Sequence, residues 1–201
     1  EDGAQDKQAV SGKNLKLSID IDLQQYAESL MVNKIGAVVA IEPATGEILA
    51  MVSAPTYSPS LLVGRQRGSN YRELAQNKYK PLFDRALMGA YPPGSTFKPG
   101  QGLILLQEGI INLSTAYPCY GGYINAGLKV GCHGHGSPLP LKPALQTSCN
   151  AFFCWGLKNM LDRRSKYGST AEAFEVWKNH LVSLGYGYRL GVDLPGESRG
   201  F

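Results

Sequence analysis

The sequence predicts an α+β fold, a β-hairpin followed by a helical region, with the later strands of the sheet missing. Two β-rich runs, "GAVVAIE" and "EILAMVS", flank the turn "PATG" and read as an antiparallel hairpin over 36–53. Beyond them the periodicity is helical and no further strand stands out. Two strands are marginal alone, so the chain reads as the N-terminal part of a larger sheet. Its exposed edge is expected to be unstable or to pair with a second copy of the chain.

Residues 1–14, "EDGAQDKQAVSGKN", form a polar tail or linker remnant, and the folded part runs over 15–201. Leu23, Tyr26, Ala27, Leu30 and Met31 recur at helical spacing behind Asp20, a good cap, and predict a helix over 21–33. The stretch from Ala54 to Gly94 is rich in proline, tyrosine and polar residues. It reads as functional irregular structure with one short helix near "YRELAQ".

Ser95 is expected to cap a helix that Gly109 ends. The glycine-rich span 110–140 is expected to be loop. "LKPALQTS" and "NAFFCWGLKNML" then predict two short helices joined at "SCN". A further helix follows, with Ser169 and Glu172 as a capping box and Ala173, Phe174, Trp177, Leu181 and Leu184 as its apolar stripe.

Composition excludes some functions. A formal net charge of +4, with the basic residues scattered, gives no surface for nucleic acid. The longest apolar runs, such as "GLILLQEG", are far too short to span a membrane.

The chemistry gathers at two short motifs. "STFK" puts Ser95 and Lys98 at i and i+3, on one face and within reach of each other. A lysine in a partly desolvated cleft can lose its proton near neutral pH and activate a serine hydroxyl for acyl transfer. "SCN" adds Ser148, whose hydroxyl can relay a proton, and Asn150, whose amide can hold a peptide group. Either motif alone is common by chance or as an ordinary cap.

Together, in the settings "RALMGAYPPGSTFKPG" and "TSCNAFF", they resemble the penicillin-recognising serine acyltransferases. With "LSIDIDLQQYAE", "GAVVAIEPATGEILAMVSAPTYSP" and "GYGYRLGVDLPGE", the chain resembles class B penicillin-binding proteins over about Leu15 to Gly200, most of all their elongation-specific type. The resemblance implies the N-terminal part of a transpeptidase (β-lactamase-like) domain. It implies Ser95 as the nucleophile acylated by D-Ala-D-Ala stem peptides of peptidoglycan or by β-lactam antibiotics, and Lys98 as its base. Ser148 would pass the proton to the leaving group, Asn150 would position Lys98 and the substrate amide, and the Ser95 N–H would be half of an oxyanion hole. No cofactor is implied for catalysis.

The implied partners are a membrane glycosyltransferase of the elongation complex and the rod-shape scaffold, and the implied place is the periplasmic face of the bacterial inner membrane. One departure stands out: neither K-T-G nor K-S-G occurs, and "KVG" at 129 and "KYG" at 166 lack the hydroxyl residue. A chain ending before that motif is expected to acylate slowly or not at all. The rival readings are a class D β-lactamase or β-lactam sensor, and a non-enzymatic zinc-bound interaction module.

Cys119, Cys132, His135 and Cys149 form a third constellation. Cys132 and His135 have two residues between them, and Cys119 and Cys149 lie 13 and 14 positions outside that pair. Three thiolates and one imidazole suit a closed, structural zinc site, and His135 is a better fourth ligand than His133. A Cys119–Cys132 disulfide, or plain buried thiols, are the competing readings. Cys154 reads as core, His180 as solvated, and Tyr91, Tyr120 and Tyr123 as packing residues or cleft lining.

Overall fold

The computed structural model describes residues 10–200. Most of the 1–14 tail, and Phe201, lie outside the described residues. The chain divides into two compact units, residues 1–89 and 90–201.

In the first unit, helix α1 (Ile21–Leu30) starts where Asp20 accepts hydrogen bonds from the Asp22 and Leu23 amides, each at 3.0 Å. Strands β1 (Gly36–Ile41) and β2 (Ile48–Ala54) form the antiparallel hairpin, Val38 opposite Val52, with a register shift after Ala40. Gly46, at φ +78°, makes the turn. The outer edge of β2 is closed by α1: the Asp20 N–H donates to the Leu49 carbonyl (2.9 Å). The Gln24 side chain accepts from Met51 N (2.8 Å) and donates to Met51 O (3.1 Å). A side-chain amide thus substitutes for a neighbouring strand. The β1 edge has no strand beside it among the described residues. The rest of the unit is irregular apart from a short 3₁₀ turn (Pro59–Leu62) and helix α2 (Arg67–Gln76), longer than expected.

The second unit is built around helix α5 (Asn150–Leu161), whose Phe152 and Met160 are fully buried. Helix α3 (Lys98–Gln107) crosses it at very short range: a Cβ on Gly156 would lie 2.4 Å from Leu105 Cδ1, so only glycine lets the pair meet. Gly109, at φ +62°, ends α3, its N–H donating to the Leu106 carbonyl at 3.0 Å.

Two expectations need correction here. Ser95 does not cap α3; it lies inside a 3₁₀ turn, Gly94–Phe97, that runs straight into the helix. The span 110–140 is not plain loop. It carries β3 (Ala116–Tyr117), which pairs with β6 (Leu139–Pro140), and a hairpin of β4 (Gly122–Asn125) with β5 (Leu128–Gly131). That hairpin packs on α5 through Tyr123, whose ring meets Trp155 edge-on at 4.8 Å. Tyr91 and Tyr120 are exposed.

Helix α4 (Leu141–Gln146) leads into α5, and α6 (Arg164–Tyr167) and α7 (Thr170–Ser183) follow it. Ser169 caps α7 by accepting from the Glu172 N–H at 3.1 Å. The reciprocal arm of the capping box is absent, because the Ser169 N–H donates to the Tyr167 carbonyl at 2.8 Å.

His180 is not solvated. Its Nε2 lies 2.7 Å from Glu108 Oε1, while Glu108 Oε2 accepts from Lys166 Nζ (2.6 Å) and the Tyr167 hydroxyl (2.7 Å). One carboxylate at the end of α3 thereby ties down α6 and α7. Burial pushes Glu108 up, but the bonds from Lys166, Tyr167 and His180 outweigh it and lower its pKa from the ordinary 4.5 to about 2. A carboxylate depressed by folding contributes stability that is fully present above its unfolded value and lost as pH falls toward its folded one. Wild type should therefore lose thermal stability more steeply than E108Q between about pH 4.5 and pH 2. Melts followed by circular dichroism would measure this, and parallel curves for the two proteins would contradict it.

Candidate active site and thiol cluster

Lys98 occupies the first position of α3 and is 9% exposed, rare for a lysine. Its ammonium reaches the junction between α4 and α5, where all three of its N–H donors find acceptors. These are the Ser148 carbonyl (2.7 Å), the Ser148 hydroxyl (2.9 Å) and Asn150 Oδ1 (2.6 Å). Phe153 adds an aromatic face 5.8 Å from the nitrogen. Burial pulls the pKa of Lys98 below the ordinary lysine value, while the nearby Cys132, Cys149 and Cys154 thiols act in the opposite sense.

The backbone makes this possible by an unusual turn. Ser148 has φ +54°, a left-handed conformation that costs a serine about 1–3 kcal/mol. The turn is held by the Ser148 N–H on the Leu145 carbonyl (3.1 Å) and the Cys149 N–H on the Ala144 carbonyl (2.8 Å). It presents both the carbonyl and the hydroxyl of Ser148 to Lys98.

Ser95 is exposed, and the Ser148 hydroxyl donates to its Oγ at 2.8 Å. The hydrogen-bonded path from Ser95 to Lys98 therefore runs through Ser148. As the second residue of its 3₁₀ turn, Ser95 has a backbone N–H with no acceptor inside that turn. Asn150 is fixed on both sides: its Oδ1 faces Lys98, and its Nδ2 donates to the Gly131 carbonyl at the end of β5 (2.7 Å). The four residues singled out from the sequence meet in one place. Sequence reasoning missed the Gly131 carbonyl, a backbone atom, and the Phe153 ring beneath the lysine. A separate groove of about 830 Å³ in the first unit, lined among others by Gln24, Met31, Tyr57 and Asp84, holds none of these groups.

Behind the junction, the thiols of Cys119, Cys132 and Cys149 and a ring nitrogen of His135 lie within 4.8 Å of one another. All four cysteines of the chain are free, and Cys154 packs beside the core. His135 Nδ1 pairs with the Gly136 carbonyl at 2.7 Å, which fixes the proton on Nδ1, while Nε2 is buried without a partner. A histidine so held offers a lone pair, as metal-bound imidazoles do. His133 is exposed.

Cys149 also caps α5, its sulfur accepting from the Phe152 N–H at 3.4 Å, and Cys132 Sγ accepts from the Ala151 N–H at 3.3 Å. Burial pushes the Cys149 thiol up to about 12. For Cys132 burial is outweighed by hydrogen-bond donors, the Ala151 amide first among them, which leave that thiol below its ordinary value. Tetrahedral zinc with bonds of about 2.3 Å separates its sulfurs by about 3.8 Å. Cys132 and Cys149 are 4.0 Å apart. The donor set and its spacing fit that ion.

The model of the penicillin binding protein transpeptidase domain matches residues 36–201. The chain is 35% identical over 199 residues to the peptidoglycan D,D-transpeptidase MrdA of Acinetobacter baumannii, covering 96% of this chain and 28% of that protein. Among solved structures it is similar to Pseudomonas aeruginosa PBP2 in complex with WCK 5153, with TM-score 0.78 and 31% identity over 92% of this chain and 40% of that one. It is also similar to PBP2 in its complex with MreC from Helicobacter pylori, with TM-score 0.77 and 30% identity over 91% of this chain and 32% of that one. The chain thus spans under a third of the length of the Acinetobacter relative.

The thiol cluster yields a reactivity order. In metal-free protein, Cys132 should alkylate before Cys119 and Cys149, because its thiolate is favoured and it is less buried. Timed iodoacetamide labelling with peptide mass mapping measures this, and Cys149 reacting first would contradict it.

Proposed function

The chain belongs to the penicillin-binding protein transpeptidase family. From that premise we propose that it carries the acylation machinery of a peptidoglycan D,D-transpeptidase of bacterial cell elongation, with Ser95 as nucleophile. The observation that supports this most is the path from Ser95 Oγ through the Ser148 hydroxyl to Lys98 Nζ.

In the resting site Lys98 is an ammonium that donates to three acceptors. Its burial makes loss of one proton easier, and the neutral amine then turns a lone pair toward Ser148. The Ser148 proton moves to Lys98 as the Ser95 proton moves to Ser148, and Ser95 Oγ bonds to the carbonyl carbon of a D-Ala-D-Ala peptide. The unpaired Ser95 N–H stabilises the oxyanion. When the C–N bond breaks, Lys98 returns its proton through Ser148 to the departing D-Ala amine. An acceptor amine then attacks the Ser95 ester, forming the cross-link and freeing the serine. A β-lactam enters the same first step but keeps its amine tethered.

We place the whole protein at the periplasmic face of the inner membrane; among the described residues no helix is long and apolar enough to cross a membrane. The MreC complex of the Helicobacter pylori relative supports the rod-shape scaffold as a partner.

Cys119, Cys132, His135 and Cys149 would hold a structural zinc ion. When bound, it would supply a cross-link between the β3–β4 loop, the segment after β5 and the start of α5, with no open position for catalysis. The proton path of acyl transfer itself runs through Ser95, Ser148 and Lys98.

Two outcomes are expected of the full-length protein. Intact-mass spectrometry should show one penicillin per chain on Ser95, and Lys98→Ala should lower labelling at least about 100-fold. Labelling elsewhere, or steady hydrolysis of a chromogenic cephalosporin, would overturn the transpeptidase reading. Elemental analysis should find about one zinc per chain, with Cys132→Ser lowering zinc content and thermal midpoint together. Unchanged values for both would remove the zinc site.

A further inference from the structure

The Asn150 carboxamide can face Lys98 in two ways that differ by a half-turn, and only one of them puts an oxygen against the ammonium. The other would bring an N–H₂ group against a cation. Lys98, which has only donors, takes Oδ1 at 2.6 Å. A second contact pins the other end of the amide: the Gly131 carbonyl is only an acceptor, and it takes Nδ2 at 2.7 Å. The second Nδ2 proton stays free for a substrate carbonyl.

The place of the Gly131 carbonyl is set in turn by the next residue. Cys132 is anchored at both ends: its N–H donates to the Gly121 carbonyl at 3.0 Å, and its sulfur accepts from the Ala151 N–H at 3.3 Å. Ala151 directly follows Asn150. The segment Gly131–Cys132 and the segment Asn150–Ala151 are therefore joined twice, once side chain to backbone in each direction. On the β4 side the strands meet so closely that a Cβ on Gly122 would lie 2.3 Å from the Val130 carbonyl oxygen, leaving β5 little room to shift.

We propose that Cys132 is a positioning residue for acyl transfer, holding the Gly131 carbonyl where it pins the Asn150 amide against Lys98. This deepens the transpeptidase reading and rests on it. It gives the thiol cluster a link to the lysine that is distinct from general stability, because it acts on the placement of one amide.

The test uses full-length protein with ¹⁵N-labelled asparagine and tryptophan. In wild type, the Asn150 side-chain amide proton bonded to Gly131 should exchange more slowly than either side-chain amide proton of exposed Asn179. In Cys132→Ala that protection should vanish, while the Trp177 indole proton, bonded to Gln101 at 2.7 Å, keeps its signal and reports an intact core. The limiting rate of penicillin acylation should fall about 10- to 100-fold with the initial binding constant little changed. Fast exchange at Asn150 in wild type overturns the proposal, and does so even if Cys132→Ala fails to fold. Retained protection and rate in a folded Cys132→Ala overturn it equally. Failure of penicillin to label wild type would instead strike the transpeptidase reading, since the exchange measurement needs no activity.

Discussion

A buried ammonium is the constraint around which the second unit is arranged. Removing a lysine charge from water costs several kcal/mol unless every donor is met, and Lys98 meets all three of its donors within two residues of one turn. That demand accounts for the left-handed Ser148, since the turn must offer a carbonyl and a hydroxyl in the same direction. It also accounts for where α3 begins. The 3₁₀ turn of Gly94–Phe97 leaves Ser95 at the surface and sends Lys98 inward three residues later.

Holding such a site needs a stiff mount. The glycine contact between α3 and α5 fixes the spacing of the two helices that carry Lys98 and Asn150. At the far end of α3, Glu108 collects Lys166, Tyr167 and His180 and so locks α6 and α7 against the same helix. At the near end of α5, Cys149 serves as cap and as member of the thiol cluster. Polar groups at both helix ends therefore restrain the core that separates them.

The elements with strong periodicity were legible in the sequence: α1, α5 and α7, and the first hairpin with its Gly46 turn. The site motifs were legible because each is a short run of neighbouring residues in the chain. What escaped was set by distant or backbone atoms. His180 reads as a polar-face residue until Glu108, 72 positions earlier, comes beside it. The β4–β5 hairpin hides because its two-residue turn is Ala126–Gly127, both at positive φ, where asparagine would have been the recognisable first letter. Ser95 carries the letter of a cap, but composition does not distinguish a cap from a 3₁₀ lead-in. The chelating residues could be picked from spacing, whereas the role of the Gly131 carbonyl has no letter of its own.

Gly156 bears on how this chain can vary. Residues 105 and 156 share a space sized for one leucine and one hydrogen atom, so a larger residue at 156 is tolerable only with a smaller one at 105. Leu105 lies two turns beyond Lys98 on the same face of α3. Covariation at this remote pair would therefore be filtered by the distance between the lysine and the Ser148 turn, and drift in the core would register first as drift in reactivity.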